Sequence, residues 1–348
     1  MLSHNSAFDK NNNLNLIRIY LSLSVVLYHS YELSKNAGLG FLVKFFNGES
    51  AVEAFFIISG FLVMKSYYRS QSVKSFFIKR LKRIYPAYVT IILLCAILGV
   101  LVTTNTASRY FSSPDFYRYL FSNLFFLNFI HPDLPGVFAN NPFTAVNGSL
   151  WTLKIEVGYY LLVPLIVMLR SKINTHLLYG MLFVLSLGYF MGMKHLYLSS
   201  GNNTYLFLSR QIPGQLFYFI LGAWAVEWER TTVFANVISW FGIPAIIVLW
   251  FPMPAGIQCI LQAIGVFFFA YIVPRVNYPY KDEDISYGLY IYHFPVIQVL
   301  VYYQLYDRSP FVGLALSLLT TIALAVLSWV FIEKTFIVKK WNGKLALN

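Results

Sequence analysis

Residues 51–101 decide the fold. They read Ala51-Val-Glu-Ala-Phe-Phe-Ile-Ile-Ser-Gly-Phe-Leu-Val-Met64, then the basic stretch 65–83, then Ile84-Tyr-Pro-Ala-Tyr-Val-Thr-Ile-Ile-Leu-Leu-Cys-Ala-Ile-Leu-Gly-Val-Leu101. Apolar helices of about this length cross a hydrocarbon core of about 30 Å. Lys and Arg collect on the cytoplasmic side of a membrane protein. The stretch therefore predicts two membrane-spanning helices joined by a cytoplasmic loop.

The composition of the whole chain supports the same class of protein. Of its 348 residues, 58% are hydrophobic and 11% are charged, with a mean hydropathy of +0.60. A soluble domain carries roughly 25% charged residues, so this chain has too few to cover a water-facing surface. The net charge of +12 is assigned to membrane topology, and no nucleic-acid partner is expected. The two cysteines, Cys95 and Cys259, form no disulfide or zinc pattern.

The remaining apolar segments predict an all-α, polytopic transmembrane bundle of about ten spans. Segment 117–130 is short and is interrupted by Arg118 and Asn123, and we predict a re-entrant or interfacial helix there. This assignment puts most basic residues, and both termini, in the cytoplasm. We expect one domain over 1–348, with a polar tail 1–13, a short cytoplasmic tail 337–348 and no appended soluble domain. The predicted spans are 15–33, 50–68, 84–104, 149–169, 177–193, 206–228, 236–252, 257–274, 285–305 and 311–333.

Ionisable side chains inside a span are costly, so each one is a candidate for function. Arg18 and His29 lie in the first span, eleven residues apart. That separation is three helical turns plus about 20°, so both side chains share one face, about 16 Å apart along the axis. Arg18 could instead reach lipid phosphates, and His29 could be an ordinary interfacial residue.

Two carboxylates are expected near His29. Glu53 enters its span from the outer side at a similar depth, where a carboxylate can fix the tautomer of an imidazole. Glu156 lies about two turns into its own span and is expected in the same outer third. A structural salt bridge from Glu53 to Lys154 or Arg210 is the alternative.

The basic loop ends in Arg80 and Arg83, which share one face of a helix. Two guanidinium groups so placed suit a phosphate or a pyrophosphate, although the cluster could also serve only topology or anionic lipid. His293 lies among tyrosines, about two turns in from the cytoplasmic side. It either lines a polar tunnel or is a core histidine bonded to a tyrosine.

These motifs, taken in order, resemble the integral-membrane acyltransferase family 3 over nearly the whole chain. Two positions differ from the family pattern: Glu53 stands where aspartate is commoner, and Thr335 where proline is commoner. The matching stretches are Leu14-Asn-Leu-Ile-Arg18 to Val26-Leu-Tyr-His29, Val52-Glu-Ala-Phe-Phe-Ile-Ile-Ser-Gly-Phe61, Arg80-Leu-Lys-Arg83 with Ile-Tyr-Pro86, Asn147-Gly-Ser-Leu-Trp151 with Glu156, Ser286 to Pro295, and Phe331-Ile-Glu-Lys-Thr-Phe336.

The resemblance implies a bacterial O-acetyltransferase of O-antigen, capsule or exopolysaccharide in the inner membrane. Cytoplasmic acyl-CoA, most simply acetyl-CoA, would be the donor, and a surface polysaccharide or its lipid-linked precursor the acceptor. Longer family members add a secreted domain. No metal is expected, because a thioester is already activated. Oligomeric state is not predicted.

The same resemblance assigns roles to the candidate residues. His29 is the general base or an acyl carrier, and Glu53 orients it. Arg18, Ser149 and Trp151 are candidate oxyanion donors, with Glu156 as support. Arg80, Arg83 and His293 are expected to bind acyl-CoA. The alternatives are a transporter of a lipid-linked sugar, or an acyltransferase that uses succinyl-CoA or a lipid or small-molecule acceptor.

Overall fold

The structure, a computed structural model, describes residues 12–278 and 283–337. Within them the regular structure is helical, apart from one isolated bridge between Thr103 and Val137. The tails 1–13 and 337–348 lie almost wholly outside the described residues. The main helices are α1 (Leu14–Ser34), α2 (Gly48–Tyr68), α3 (Val73–Leu98), α4 (Ala107–Ser112), α5 (Pro114–Leu124), α6 (Trp151–Arg170), α7 (Thr175–Ser200), α8 (Asn203–Ser209), α9 (Ile212–Trp228), α10 (Thr232–Val248), α11 (Ala255–Tyr271), α12 (Ser286–Tyr302) and α13 (Pro310–Ser328).

Five helical stretches of the described residues are long and apolar enough to cross a membrane, so the expected ten spans are not confirmed. Four helices, α9 to α12, have 17 residues each. They rise only about 25 Å, which is less than the hydrocarbon core. The polar and charged residues of α1 lower its hydropathy. The five stretches are Ala37–Tyr68, Val73–Leu101, Gly148–Arg170, Thr175–Ser200 and Pro310–Ile337.

The segment 117–130 is not one of these five. It comprises the end of α5 and the turns after it. One face of α5 is buried through Phe116 and Tyr119, while Phe121 on the opposite side is 65% exposed. Asn123 donates to the carbonyls of Tyr119 and His131 and so fixes the turn that follows the helix.

Glycines bring the backbones of α2 and α9 into direct contact. A Cβ atom on Gly60 would lie 2.0 Å from the carbonyl oxygen of Phe219, and one on Gly222 would lie 1.8 Å from that of Ile57. Neither position tolerates a side chain without separating the helices. Small residues at helix interfaces are the usual means of close packing in membranes. This contact fixes α2, which lines the site described below.

Two local devices bring acidic side chains to the end of the bundle that carries the basic loop. Asp284 lies just before α12, and its Oδ1 accepts from the backbone N–H of Ser286, the first residue of that helix, at 3.2 Å. After α13 the chain forms a π-turn over Trp329–Glu333. The wider turn directs the Glu333 side chain inward, where it is 1% exposed. π-turns of this kind are frequent at functional sites.

Candidate active site

Helices α1, α2, α6 and α12 line two cavities, the first together with α3 and the second together with α7 and α9. We call the first, of about 110 Å³, the arginine cavity because Arg18, Arg80 and Arg83 line it. We call the second, of about 370 Å³, the histidine cavity because His29 lines it. The two share lining residues, and this makes them neighbours along the same four helices. The shared residues are Val52 and Tyr290.

Two of the three guanidinium groups of the arginine cavity are neutralised by carboxylates. Arg18 and Arg83 both form ion pairs with Asp284, and Arg83 Nη1 also donates to Glu333 Oε2 at 3.2 Å. Burial acts to raise the pKa of the Asp284 carboxyl, but the two guanidinium groups outweigh it and bring that pKa to about 2. The Asp284 carboxyl is therefore ionised at physiological pH.

Arg80 differs from Arg83 because no carboxylate of residues 12–278 and 283–337 pairs with it. Its Nη2 donates to Ser66 Oγ at 2.9 Å, and its guanidinium lies 5.8 Å from the centre of the Tyr160 ring. Its Nε is buried without a hydrogen-bond partner in the described structure. A buried donor without an acceptor is costly. Arg80 therefore keeps one buried guanidinium donor without an acceptor among the described residues.

Glu156 lines the arginine cavity, not the histidine cavity, so the expected convergence with Glu53 and His29 is wrong. It accepts hydrogen bonds from Ser59 Oγ at 3.1 Å and from Tyr160 Oη at 2.6 Å. These bonds hold the carboxylate against α2 and against the next turn of α6, and both partners line the arginine cavity.

His29 and His293 form a stacked pair. His29 Nδ1 lies 2.9 Å from His293 Nε2, and the ring planes differ by 18°. His293 is fully buried, and its Nδ1 lies 3.3 Å from the carbonyl oxygen of Leu289. It does not line either cavity. His293 was expected either to line a tunnel or to be a core histidine bonded to a tyrosine; it is buried, and its ring nitrogens face His29 and the Leu289 carbonyl.

Glu53 lines the histidine cavity, but its hydrogen bonds go elsewhere than to His29. Its Oε2 accepts from Gln262 Nε2 at 3.0 Å and from Gln258 Nε2 at 3.3 Å, and it is also bonded by Tyr218. The two residues considered as salt-bridge partners of Glu53, Lys154 and Arg210, are bonded to other side chains. Arg210 pairs with Glu49, and Lys154 donates to Gln211 at 2.6 Å.

Of the three expected oxyanion donors, Trp151 alone lines the histidine cavity. Arg18 lines the arginine cavity and is held by Asp284. Ser149 is buried, and its hydroxyl donates to Asn147 Oδ1 at 2.7 Å. The Asn147-Gly-Ser motif therefore supports the start of α6, since Asn147 Nδ2 in turn donates to the carbonyl of Ile291 on α12 at 2.9 Å.

The boundary between the cavities is the seam formed by Val52 and Tyr290. The Tyr290 hydroxyl lies 2.8 Å from Thr152 Oγ1, and Phe55 meets the Tyr290 ring edge-on at 6.0 Å between centroids. The phenol is therefore held from two sides.

Sequence reasoning missed Asp284, Tyr290 and the ion-pair role of Glu333. The chain holds only 14 Asp and Glu residues, so an acidic residue two positions before the Ser286 motif was the available signal for Asp284. Nothing local marks its partners, which lie about 200 to 266 positions away. Among the described residues, no group of three or more His, Cys, Asp or Glu side chains is arranged to hold a metal ion.

The helical membrane fold, the guanidinium cluster and the buried histidine pair define a class of membrane-embedded protein with an internal polar site. A family model described as an acyltransferase domain matches residues 11–330. The chain therefore belongs to the acyltransferase 3 family.

Several relatives carry related names. An O-acetyl transferase of Shigella phage Sf6 is 29% identical, over 97% of this chain and 99% of that protein. Nodulation protein 10 of Rhizobium leguminosarum bv. viciae is 28% identical, over 93% and 92%. The O-acetyltransferase OatA of Staphylococcus aureus is 25% identical, over 91% of this chain and 55% of that protein. No solved structure matches the chain. The comparisons support an O-acyltransferase.

Proposed function

We propose that this protein transfers an acyl group, most simply acetyl, from cytoplasmic acyl-CoA to a hydroxyl of a surface carbohydrate. The observation that carries the proposal is the pair of cavities. One offers guanidinium groups and the other offers an imidazole, and they meet at Val52 and Tyr290. Acyl-CoA carries phosphates at one end and a thioester at the other, so its phosphates match the arginine cavity and its thioester matches the histidine cavity.

The donor phosphates belong at the arginine cavity in this proposal. Arg80 lies beside the basic loop, which the charge rule assigns to the cytoplasm, and its Nε has no acceptor in the described structure. A volume of about 110 Å³ is below the 300–1,000 Å³ typical of small-molecule pockets. It suits a narrow pantetheine arm, with the nucleotide held outside at the basic loop.

The acceptor belongs at the histidine cavity, which is larger and lined by aromatic rings. Tyr28, Phe143, Trp151, Phe190 and Phe294 line it. Such rings pack against the apolar faces of sugars. Because His29 lines the same space, an acceptor hydroxyl bound there lies within reach of its free ring nitrogen.

The transfer needs one base and one set of oxyanion donors. His29 takes the proton of the acceptor hydroxyl while the hydroxyl oxygen attacks the thioester carbonyl carbon. The Trp151 indole N–H is the cavity-lining donor for the developing negative charge. When the C–S bond breaks, the thiolate takes the proton from His29 and leaves as the thiol. An acyl-His29 intermediate uses the same two residues.

Isotope transfer tests the proposal. Membrane vesicles that contain the purified protein receive labelled acetyl-CoA on the side of the basic loop and chemically deacetylated surface polysaccharide on the other side. We expect label in the polysaccharide and free CoA in equal amounts. If the label appeared in lipid or in a small molecule, the acceptor would belong to that class and not to the polysaccharides. If the protein preferred succinyl-CoA, the transferred group would be succinyl and not acetyl. No acyl transfer to any acceptor, with the sugar itself crossing the vesicle, would support the transporter instead.

A further inference from the structure

We infer that His293 is a positioning residue that fixes the tautomer of His29, so that Nε2 of His29 is the nitrogen presented to the acceptor. The inference rests on the proposed function for its kinetic consequence, but the tautomer itself can be measured without any substrate. It assigns His293 a task different from tunnel lining.

The hydrogen bonds of the pair determine where each proton lies. The carbonyl oxygen of Leu289 can only accept, so the Nδ1 of His293, 3.3 Å away, carries a proton. The Nε2 of a neutral His293 is then an acceptor. His29 Nδ1, which lies 2.9 Å from it, must therefore be the donor. The remaining nitrogen of a neutral His29, Nε2, is left with a free lone pair.

The two histidines differ in burial. His293 is fully buried and does not line either cavity, whereas His29 is half-buried and lines the histidine cavity. The rings of Tyr290 and Phe294 pack edge-on against the pair, at 5.9 Å from His293 and 5.5 Å from His29. The pair therefore has one buried end, anchored to the backbone of α12, and one end open to the acceptor.

The consequence for the reaction is a base of fixed orientation. When His29 Nε2 takes the acceptor proton, the ring becomes an imidazolium, and its Nδ1–H still donates to His293. His293 keeps its own proton on Nδ1 and does not join the transfer. Glu53 cannot have this task in the observed geometry, because its bonds go to Gln258, Gln262 and Tyr218. The second histidine takes the orienting place that a carboxylate has in many triads.

Three substitutions at one position test the inference. His293→Gln keeps an acceptor near the original Nε2. His293→Asn carries an amide that is one carbon too short, and His293→Phe keeps the ring without an acceptor. We expect the kcat of transfer to fall about 100-fold in the Asn and Phe variants and less than about tenfold in the Gln variant. The KM for acetyl-CoA should stay unchanged. Equal losses in all three, or wild-type kcat in the Phe variant, would overturn the inference.

Nitrogen-15 NMR of histidine-labelled wild-type protein in nanodiscs provides the second measurement, with the His29 signals assigned from a His29→Gln variant. We expect a protonated Nδ1 and an unprotonated Nε2. A protonated Nε2 on neutral His29 overturns the inference even if the variants fail to fold. Absence of acyl transfer by the wild-type protein would remove the proposed function, but the tautomer of His29 would still be measured in the same way.

Discussion

The arginine cavity and the histidine cavity share lining helices α1, α2, α6 and α12 but differ in their central polar groups. In the arginine cavity, full charges are close together and mostly cancelled, as in the Arg18, Arg83 and Asp284 cluster. In the histidine cavity, the central imidazole is bonded to a second histidine ring, and the Arg210–Glu49 ion pair lies in the lining. Under the proposed function, the charged cluster would hold the donor and the histidine pair would transfer the proton. The predictions below test this division, from the largest expected effect to the smallest.

Removal of the candidate base should have the largest effect. His29→Gln should lower the rate of acetyl transfer about 10³-fold, since positioned bases contribute 10²–10⁴-fold. Acetyl-CoA binding and thermal stability should be retained because His29 lies outside the arginine cavity. Steady-state transfer and a binding titration provide the measurements. His176→Gln is the matched control, since that exposed histidine accepts from Trp224 far from both cavities. Acetyl transfer at the wild-type rate by His29→Gln would contradict the role of His29 as the base.

Arg83 should matter first for stability. Arg83→Gln leaves buried Glu333 with Ser328 as its remaining partner among the described residues. Breaking one side of a buried pair costs about 3–5 kcal/mol. We expect a loss of about 3 kcal/mol in unfolding of the detergent-solubilised protein.

Arg118→Gln is the control for that measurement, because Arg118 forms an exposed pair with Asp115. Such pairs contribute less than about 1 kcal/mol. If both variants lost the same amount, the arginine cavity would not be the cohesive cluster described above.

Arg80 should matter for the donor and not for stability. Arg80→Gln should raise the KM for acetyl-CoA about 10- to 100-fold, since hydrogen bonds to charged groups contribute about 1.5–3 kcal/mol. The KM for acetyl-pantetheine, which lacks the nucleotide phosphates, should not change. Lys79→Gln is the matched control, because exposed Lys79 donates only to Ser70 among the described residues. An equal rise for both donors would contradict the phosphate role.

The seam should give the smallest effect. Tyr290→Phe removes the hydroxyl that lies 2.8 Å from Thr152, and a net loss of about 1 kcal/mol in stability is expected. Thr152 keeps its bond to the Ser149 carbonyl, so no partner is left unsatisfied. Tyr287→Phe, which loses a bond of 2.9 Å to the Ile84 carbonyl, should cost about the same. A much larger loss of stability in Tyr290→Phe than in Tyr287→Phe would mean that the Tyr290 hydroxyl contributes more to stability than its one hydrogen bond explains.

Local patterns predicted much of this arrangement. Helical spacing correctly put Arg18 and His29 on one face of α1, and the structure has them lining neighbouring cavities. The side-by-side position of Arg80 and Arg83 also follows from helical spacing. Their different tasks do not, because the difference depends on Asp284 and Glu333, which arrive from far along the chain.

The remaining differences concern depth and long-range pairing. Glu156 was expected beside His29 from its depth along its own span, whereas the cavity that it lines depends on its hydrogen bond to Ser59, 97 positions away on α2. The pairing of His29 with His293 joins residues 264 positions apart. Hydropathy patterns give each helix its length but not its rotation against a distant neighbour, and rotation decides which ring meets which.

The glycine contact between α2 and α9 bears on how such a protein can work at all. A transporter exposes one site to two sides in turn, and its helices must rock or slide past each other. Here Gly60 and Gly222 leave no room between two backbones, and α2 carries lining residues of both cavities. The contact holds the backbones of α2 and α9 at a fixed separation, and α2 thereby keeps its lining residues of both cavities in place. Under the proposed function, the acyl-CoA arm would have to reach along α2 from the arginine cavity to the histidine cavity, because these two helices cannot slide past each other.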